Sequence, residues 1–180
     1  MRKVIALNEK IFIAGASGMV GSSIKRILKK KGFDKSLLTP TSNDLNLLDS
    51  ESVKKWFIKN KPEIVIIAAA EVGGIHANSV YPANFILKNL KIQTNLIESS
   101  WHCGVRRLIF LGSSCIYPKY AHQPIKEELL LTGALESTNQ WYAIAKIAGV
   151  KLCEALRIQH KFDAISLMPT NLYGPNDNYH

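Results

Sequence analysis

The chain has 180 residues, 47% hydrophobic and 21% charged, a composition that supports one globular domain and argues against disorder or a fibrous repeat. Its formal net charge of +9 is compatible with nucleic acid, but the basic residues are spread over predicted helix ends and polar helix faces. We therefore interpret them as a solvated surface that favours an anionic small molecule, and we expect no nucleic-acid partner.

Short β-branched runs alternate with longer helical patterns along the chain, which is typical of a parallel sheet wound with helices. In chain order, the pattern predicts a strand at residues 11–14, a helix at 19–31, a strand at 36–39, a helix at 50–59, a strand at 63–69, a helix at 82–103, a strand at 108–112, a helix at 139–159 and a strand at 164–168. Five strands with four crossovers predict an α/β fold, a doubly wound parallel sheet of the Rossmann type, with residues 1–180 as one dinucleotide-binding domain.

The cysteine content and the apolar runs indicate the cellular compartment and argue against a metal site. Cys103, Cys115 and Cys153 are odd in number and form no CxxC pair, so we expect no disulfide framework and no metal. Asn8 interrupts the basic N-terminal segment too early for a signal peptide. The longest apolar run, residues 64–70, is far shorter than the ~20 residues of a membrane helix. These features predict a cytoplasmic protein with no membrane partner.

A glycine-rich turn, residues 15–21 (GASGMVG), directly follows the first predicted strand and opens the first predicted helix. Gly15 and Gly18 allow a tight turn close to a pyrophosphate, and Gly21 lets the helix pack on the strand. The helix N-terminus offers free N–H groups to the phosphates. A merely structural turn is the alternative, but the strand-turn-helix context favours dinucleotide binding. The other loop residues assigned to the cofactor are Ser17, Met19 and Val20.

The segment after the second predicted strand bears on the choice of cofactor. NAD-specific sites usually place an acidic residue there for the ribose hydroxyls. Residues 39–43 contain no carboxylate, and the first one, Asp44, comes late. This favours NADP(H), although no arginine clamp for a 2′-phosphate is evident and Lys35 is badly placed as a substitute.

Tyr142 and Lys146 form a YxxxK pair, and the i, i+4 spacing places both side chains on one helix face. A nearby ammonium lowers the pKa of a tyrosine, which lets Tyr142 deliver a proton at neutral pH, and Lys146 can also hold the nicotinamide ribose. A YxxxK pattern on its own is readily explained by chance, because tyrosine and lysine are common on helix surfaces. Its position after the glycine turn and after the fourth predicted strand favours the catalytic interpretation.

The segment 112–118 (GSSCIYP) leaves the sheet at the carboxyl end of the fourth predicted strand, where parallel sheets bind ligands. The Ser113 hydroxyl can donate a hydrogen bond to a substrate carbonyl. Cys115 can act as a base if its thiolate is stabilised. A buried structural thiol is the alternative, which we favour for Cys103 and Cys153 but not for Cys115.

Three segments are more specific than these motifs: residues 69–75 (AAEVGGI), 111–118 (LGSSCIYP) and 168–174 (MPTNLYG). With them, residues 10–180 resemble the GDP-L-fucose synthase family, in the extended branch of the short-chain dehydrogenases/reductases. The resemblance implies epimerisation of GDP-4-keto-6-deoxy-D-mannose at C3 and C5, followed by NADPH-dependent reduction at C4. It also implies a GDP-sugar substrate and a homodimer formed through the helices at 82–103 and 139–159.

The resemblance also implies roles for individual residues. Ser113, Tyr142 and Lys146 correspond to the reductase triad, and Cys115 corresponds to the epimerisation base. Related dehydratases tend to carry a glutamate at the position of Cys115, and plain 4-epimerases carry neither. The cofactor site, beyond the glycine turn, Tyr142 and Lys146, is then lined by Ser42, Ala69, Ala70, Val72, Pro169, Asn171 and Leu172.

The sequence departs from the family pattern at several positions. Ser17 and Ser42 stand where bacterial relatives often carry basic residues for the NADP phosphate, so NAD remains open. His180 lies too early to be the family's catalytic histidine, and we expect that acid and the GDP-sugar-binding C-terminal part beyond the chain. The alternatives are another nucleotide-sugar 4-epimerase or dehydratase, or a truncated, non-catalytic dinucleotide-binding module.

Overall fold

A five-stranded parallel sheet forms the centre of the structure, a computed structural model that describes residues 5–74, 80–175 and 177. The strands are β1 (Ile11–Ala14), β2 (Leu37–Leu38), β3 (Ile64–Ile67), β4 (Arg107–Leu111) and β5 (Ala164–Leu167). They lie in the order β2-β1-β3-β4-β5, and every neighbouring pair is parallel. The predicted α/β fold of the Rossmann type is confirmed.

The helices that connect the strands are α1 (Met19–Lys30), α2 (Ser50–Asn60), α3 (Pro82–His102) and α4 (Gln140–His160). The predicted bounds of these helices agree with the structure to within one residue at each end. Short 3-10 turns lie at Asp34–Ser36, Ser114–Ile116 and Glu127–Leu129. Within the part of the chain that the structure describes, no helix combines the length and the apolar character needed to cross a membrane.

Three of the strands are shorter than predicted, β5 by a single residue. β2 is confined to Leu37–Leu38, because a 3-10 turn precedes it and Pro40, which has no N–H to donate, follows shortly after. β3 ends at Ile67 rather than at residue 69, and the chain then passes directly beneath the turn at Gly15. This early exit of β3 from the sheet brings the following loop to the glycine turn.

Capping residues define the ends of α1 and α2. The Asp49 carboxylate accepts hydrogen bonds from the N–H groups of Glu51 and Ser52, so Asp49 is the N-cap of α2. Gly32 follows the end of α1 with a φ of +91°, a conformation that glycine adopts without a steric penalty.

The hydrophobic core is divided between the two faces of the sheet. On one face, Phe12 packs with its ring centroid 4.4 Å from that of Trp56 and 5.7 Å from that of Phe57, beneath α2, α3 and α4. On the other face, Ile11 and Ile13 pack against α1. This alternation along β1 follows from the two-residue period of a strand, and it places α1 and its N-terminal turn on a different face from α4.

The helices α3 and α4 pack closely beside each other over β4. The buried Gln93 amide of α3 donates a 2.6 Å hydrogen bond to the carbonyl oxygen of Ala145 in α4. A Cβ at Gly149 would come within 2.5 Å of the Phe110 ring, so the absence of a side chain there allows α4 to approach the sheet. This packing fixes the height of α4 above the carboxyl end of β4.

Candidate active site

The glycine turn between β1 and α1 is packed too closely for side chains at two of its three glycines. Gly15 has a φ of +82°, and a Cβ there would lie 2.7 Å from the backbone nitrogen of Ala69. A Cβ at Gly21 would overlap the carbonyl oxygen of Gly15. At Gly18, a Cβ would lie 3.6 Å from that same oxygen, an ordinary contact. Gly15 and Gly21 therefore allow close backbone packing, whereas Gly18 leaves the outer surface of the turn open.

The N-terminus of α1 is free to receive an anion. Gly18 is the N-cap and supplies no side-chain hydrogen bond, and the first turn of α1 contains no acidic residue. The first N–H groups of a helix have no partner within the helix and carry a partial positive charge. The exposed backbone of the turn and these N–H groups fit a pyrophosphate.

A cleft of about 230 Å³ lies between the glycine turn and the loop that follows β2. Ser17 and Ser42, both predicted to contact the cofactor, line this cleft together with Thr41. Asp44 lies just outside the lining: its carboxylate accepts hydrogen bonds from the N–H of Thr41 at 2.9 Å and from its hydroxyl at 2.7 Å. These hydrogen bonds hold the pKa of Asp44 below its usual value.

The loop after β3 is attached to α3 through one buried side chain. The amide oxygen of Asn89, which is 2% exposed, accepts a 2.9 Å hydrogen bond from the Glu71 N–H. Its amide nitrogen donates to the carbonyl oxygens of Glu71 at 2.9 Å and Phe85 at 2.8 Å. Of the predicted crevice residues here, Ala69 and Ala70 are partly buried and Val72 is 71% exposed; Ile75, the last residue of this motif, lies outside the described residues.

Ser113 and Cys115 lie in the turn that leaves the carboxyl end of β4. Ser113 is the N-cap of the 3-10 turn Ser114–Ile116, and its hydroxyl oxygen accepts a 3.4 Å hydrogen bond from the Cys115 N–H. The carbonyl oxygen of Pro169 accepts from the Ser114 N–H at 3.1 Å, which ties the turn to the segment after β5. Pro169, predicted to line the cofactor site, thus supports the turn that carries Ser113 and Cys115.

Tyr142 and Lys146 lie on the face of α4 that covers the end of β4. The Lys146 Nζ atom is 5.5 Å from the ring centroid of Tyr142 and 4.9 Å from that of Phe110. It donates a 2.7 Å hydrogen bond to the carbonyl oxygen of Leu111, the last residue of β4, and the lysine is only 4% exposed. The predicted shared face of the YxxxK pair is present.

The protonation of this pair differs from the prediction. Burial raises the pKa of Tyr142 to about 12, and the neighbouring Cys115 adds to the increase. Burial lowers the pKa of Lys146 to about 8. The predicted lowering of the tyrosine pKa was therefore wrong for this structure, because desolvation of the phenol is the main influence on its pKa. The Lys146 ammonium lies over the ring face and donates its hydrogen bond to Leu111.

The three cysteines have different surroundings. Burial raises the pKa of Cys115, while a hydrogen bond with Ser113 and the charge of Lys146 partly oppose the increase. Cys153 is buried in the core, where burial raises its pKa to about 11, and Cys103 packs against the same core. Cys115 is thus the cysteine that adjoins Ser113, Tyr142 and Lys146, and together we call these four residues the β4-end cluster.

The last predicted cofactor residues lie on another part of the surface. Leu172 contributes to an apolar groove along α1, which it shares with Met19 and Val20. Asn171 is exposed. The structure thus brings Leu172 to the start of α1, in a groove that does not include Ser42. His180 lies outside the described residues.

Sequence reasoning missed the residues that hold this site together, chiefly Asn89, Gln93 and Gly149. Asn89 and Gln93 are amides at i, i+4 positions, within a helix stripe that also contains the buried Phe85 and Leu96. A polar residue inside an apolar stripe must find a partner when it is buried. That pattern in the sequence was the available signal for both amides.

Three comparisons with known proteins bear on this site. The sequence matches the model of the NAD dependent epimerase/dehydratase family over residues 11–180. It is 61% identical over 171 residues to GDP-L-fucose synthase 1 of Arabidopsis thaliana, an alignment that covers 95% of this chain and 53% of that protein. The chain spans about half the length of the curated relatives it matches.

Two solved structures are close in shape. A GDP-L-fucose synthetase from Naegleria fowleri bound to NADP has a TM-score of 0.86 at 30% identity, covering 98% of this chain and 58% of that one. A GDP-mannoheptose C4 reductase from Campylobacter jejuni with NADP bound has a TM-score of 0.93 at 39% identity, covering 97% and 55%. The resemblance inferred from the sequence motifs is confirmed by these relatives.

Proposed function

The chain belongs to the NAD dependent epimerase/dehydratase family, and on that premise we propose that it carries the cofactor site and the reductase residues of a GDP-L-fucose synthase. The proposed substrate is GDP-4-keto-6-deoxy-D-mannose, which is epimerised at C3 and C5 and then reduced at C4. The relatives are about twice as long as this chain, so the activity is proposed for the protein that contains it.

The observation that carries this proposal is the β4-end cluster. A hydroxyl, a thiol, a phenol and an ammonium lie together at the carboxyl end of β4, at the same edge of the sheet as the glycine turn that follows β1. Ligands bind at this edge of open parallel sheets. A serine, a tyrosine and a lysine can bind and protonate a ketone oxygen while a bound nicotinamide supplies the hydride, and the thiol adds a group that can move a proton at carbon.

The chemistry of a 4-keto sugar suits these groups. The ketone acidifies the protons at C3 and C5, so Cys115 in its thiolate form can remove each of them. An acid on the opposite face of the sugar must return a proton to each carbon to complete the inversion. Ser113 and Tyr142 donate hydrogen bonds to the oxygen on which negative charge develops, which stabilises the enolate electrostatically. The Ser113 hydrogen bond and the Lys146 charge support the thiolate against the cost of burial.

Reduction at C4 needs a hydride and a proton. NADPH, when bound, supplies the hydride. Tyr142 supplies the proton to the C4 oxygen, and its raised pKa keeps the phenol protonated at neutral pH and available as the acid. Lys146 lies next to the phenol and stabilises the phenolate that remains after transfer.

The cofactor assignment to NADP(H) has two supports. The glycine turn and the uncapped α1 N-terminus fit the pyrophosphate, and Ser17 and Ser42 lie on the cleft where the adenosine ribose belongs. The similar Naegleria fowleri and Campylobacter jejuni proteins are NADP-bound.

A homodimer and a cytoplasmic location are also proposed. Leu87 on α3, and Trp141 and Ile144 on α4, are exposed at 54%, 38% and 38%, which gives the outer faces of both helices an apolar character. Two copies that pair these helices would bury this apolar surface in a four-helix bundle. Light scattering of the purified protein tests the dimer, and a monomer at micromolar concentration contradicts it.

The cytoplasmic location is supported by the three free cysteines, which suit a reducing compartment.

The test of the function separates epimerisation from reduction. The protein is incubated with GDP-4-keto-6-deoxy-D-mannose in D₂O without NADPH, and deuterium at C3 and C5 is measured by NMR. We expect incorporation by the wild type and a loss of at least about a hundredfold in Cys115→Ser, a typical effect of removing a general base. Cys103→Ser is the matched control and should exchange at the wild-type rate. Equal exchange by Cys115→Ser would show that Cys115 is structural.

A second candidate is a GDP-sugar C4 reductase that does not epimerise. The raised pKa of Cys115 favours it, because a protonated thiol cannot abstract a proton from carbon. In the same experiment this enzyme incorporates no deuterium. In a second incubation with NADPH added, it oxidises NADPH and yields a product reduced at C4 with C3 and C5 unchanged. Product stereochemistry therefore distinguishes the two.

A further inference from the structure

We propose that Asp44 sets the cofactor selectivity of this chain, by placing a fixed negative charge beside the ribose end of the cofactor cleft and so weakening the preference for NADPH over NADH. This inference rests on the proposed dinucleotide site, although not on the sugar chemistry. The Asp44 carboxylate does not line the cleft itself, but it accepts a hydrogen bond from Thr41, which does.

The position of the cleft identifies which part of a dinucleotide it receives. One wall is the glycine turn at Gly15–Ser17, where the pyrophosphate fits, and the other is the loop of residues 40–48 after β2. In doubly wound sheets the adenosine ribose lies between these two segments. Its 2′ position, which carries a phosphate in NADPH and a hydroxyl in NADH, therefore comes next to Thr41 and Ser42.

The Asp44 carboxylate is held in place by four hydrogen bonds around Thr41. Asp44 accepts from the N–H and the hydroxyl of Thr41, while the N–H groups of Asp44 and Leu45 donate to the Thr41 carbonyl oxygen at 3.1 and 3.0 Å. Leu45 is 4% exposed and anchors the end of this turn in the core. The carboxylate is consequently a fixed feature of the cleft's rim.

The described residues that line the cleft offer no positive charge to balance Asp44. They comprise hydroxyl, amide and apolar side chains, with neither lysine nor arginine. The hydroxyls of Ser17 and Ser42 can donate to a 2′-phosphate or exchange hydrogen bonds with a 2′-hydroxyl. A dianionic phosphate beside this rim thus gains hydrogen bonds but is repelled by Asp44, whereas the neutral hydroxyl is not.

The expected size of the effect follows from Coulomb's law. For an assumed separation of about 6 Å between a carboxylate and a phosphate dianion, in a water-like dielectric and at moderate salt, the repulsion changes the affinity by about threefold to tenfold. Without a cation to oppose it, this repulsion reduces the discrimination between the two cofactors.

The test measures binding of NADPH and of NADH to the 180-residue chain by nicotinamide fluorescence, in wild type, Asp44→Asn and Asp49→Asn. Asparagine at position 44 still accepts from Thr41 but removes the charge. Asp49→Asn is the matched control: it removes the same charge from a carboxylate that also accepts from N–H groups and a hydroxyl, outside the cleft lining. We expect Asp44→Asn to strengthen NADPH binding about threefold to tenfold with NADH within about twofold, and Asp49→Asn to change neither.

The ratio of NADPH affinity to NADH affinity in each variant decides the role of Asp44. A change in the NADPH-to-NADH affinity ratio of less than about threefold in Asp44→Asn, or an equal change in Asp49→Asn, overturns the role of Asp44. Ser42→Arg adds a cation on the cleft and should raise the ratio as well, and an unchanged ratio would contradict the placement of the ribose. Binding of neither cofactor overturns both this inference and the proposed dinucleotide site. Selective binding by this chain, with no turnover of a keto-sugar by the protein that contains it, contradicts only the proposed function.

Discussion

At the residue scale, the candidate site depends on buried polar side chains that hold backbone segments. Asn89 binds both backbone groups of Glu71 and so fixes the loop that packs against Gly15. Lys146 binds the carbonyl oxygen of Leu111 and so connects α4 to the end of β4. These contacts attach the loop after β3 and helix α4 at the same edge of the sheet. Each is costly to lose, because a buried backbone group is left without a partner.

Replacing Asn89 with aspartate tests this positioning role. The new carboxylate oxygen faces the carbonyl oxygens of Glu71 and Phe85 in place of the donor amide, so we expect a loss of about 1–3 kcal/mol in unfolding free energy. Because the loop after β3 is released, the Kd for NADPH should also rise.

Gln93→Glu is the control for Asn89. It removes an equally buried amide one turn further along α3, whose hydrogen bond goes to Ala145 rather than to the loop. Chemical denaturation should show a comparable stability loss, while NADPH affinity falls less than in Asn89→Asp, because Gln93 contacts α4 and not the loop after β3. If both variants lost affinity to the same extent, the effect of Asn89 on binding would be a general consequence of destabilising α3.

At the element scale, the approach of α1 to β1 decides the shape of the glycine turn. The helix begins immediately after the turn, and Gly21 on its first turn lies against the backbone of Gly15 and Ala16. Sequence reasoning assigned these roles from the spacing of the glycines, and the steric contacts at Gly15 and Gly21 agree with them. The contacts of Gly149 and Gln93 that place α4 were not predictable in this way, since they depend on which helix lies beside which.

Alanine at Gly21 and at Gly18 should have separable effects. Gly21→Ala forces α1 away from the turn, an overpacking that costs about 1–3 kcal/mol and lowers Tm by several degrees. Gly18→Ala fits without a clash, so Tm should be close to that of the wild type, but the methyl group meets the pyrophosphate and NADPH binding should weaken. Thermal unfolding and cofactor titration of both variants check this, and an unchanged Tm in Gly21→Ala contradicts the packing role.

At the scale of the whole molecule, the buried charge of Lys146 makes stability depend on pH. Its pKa is about 8 in the folded protein and 10.5 is the ordinary value, so between these values the unfolded chain binds more protons than the folded one. Stability therefore rises with pH as the folded lysine loses its proton. The raised pKa values of Cys115, Cys153 and Tyr142 have the opposite effect: they lower the stability as the pH rises. For each group this loss begins when the pH reaches its ordinary pKa.

A comparison of wild type with Lys146→Met isolates the lysine. From pH 7 to pH 9 the unfolding free energy of the wild type should rise by about 1 kcal/mol relative to the variant, because the thiols and the phenol are common to both proteins. Urea denaturation at pH 7, 8 and 9 measures the difference. A constant difference across this range would mean that Lys146 titrates at its ordinary pKa.

The sequence by itself determined the order of strands and helices, the glycine turn and the identity of the β4-end cluster. Hydrophobic periodicity and glycine spacing are local properties, so they are already present in the linear chain. The tertiary structure alone decided the partners of Asn89 and Lys146, the attachment of Asp44 to the rim of the cleft, and the direction of the Tyr142 pKa. Those properties depend on burial and on contacts between segments distant in sequence, and desolvation at such contacts outweighed the local expectation for the tyrosine.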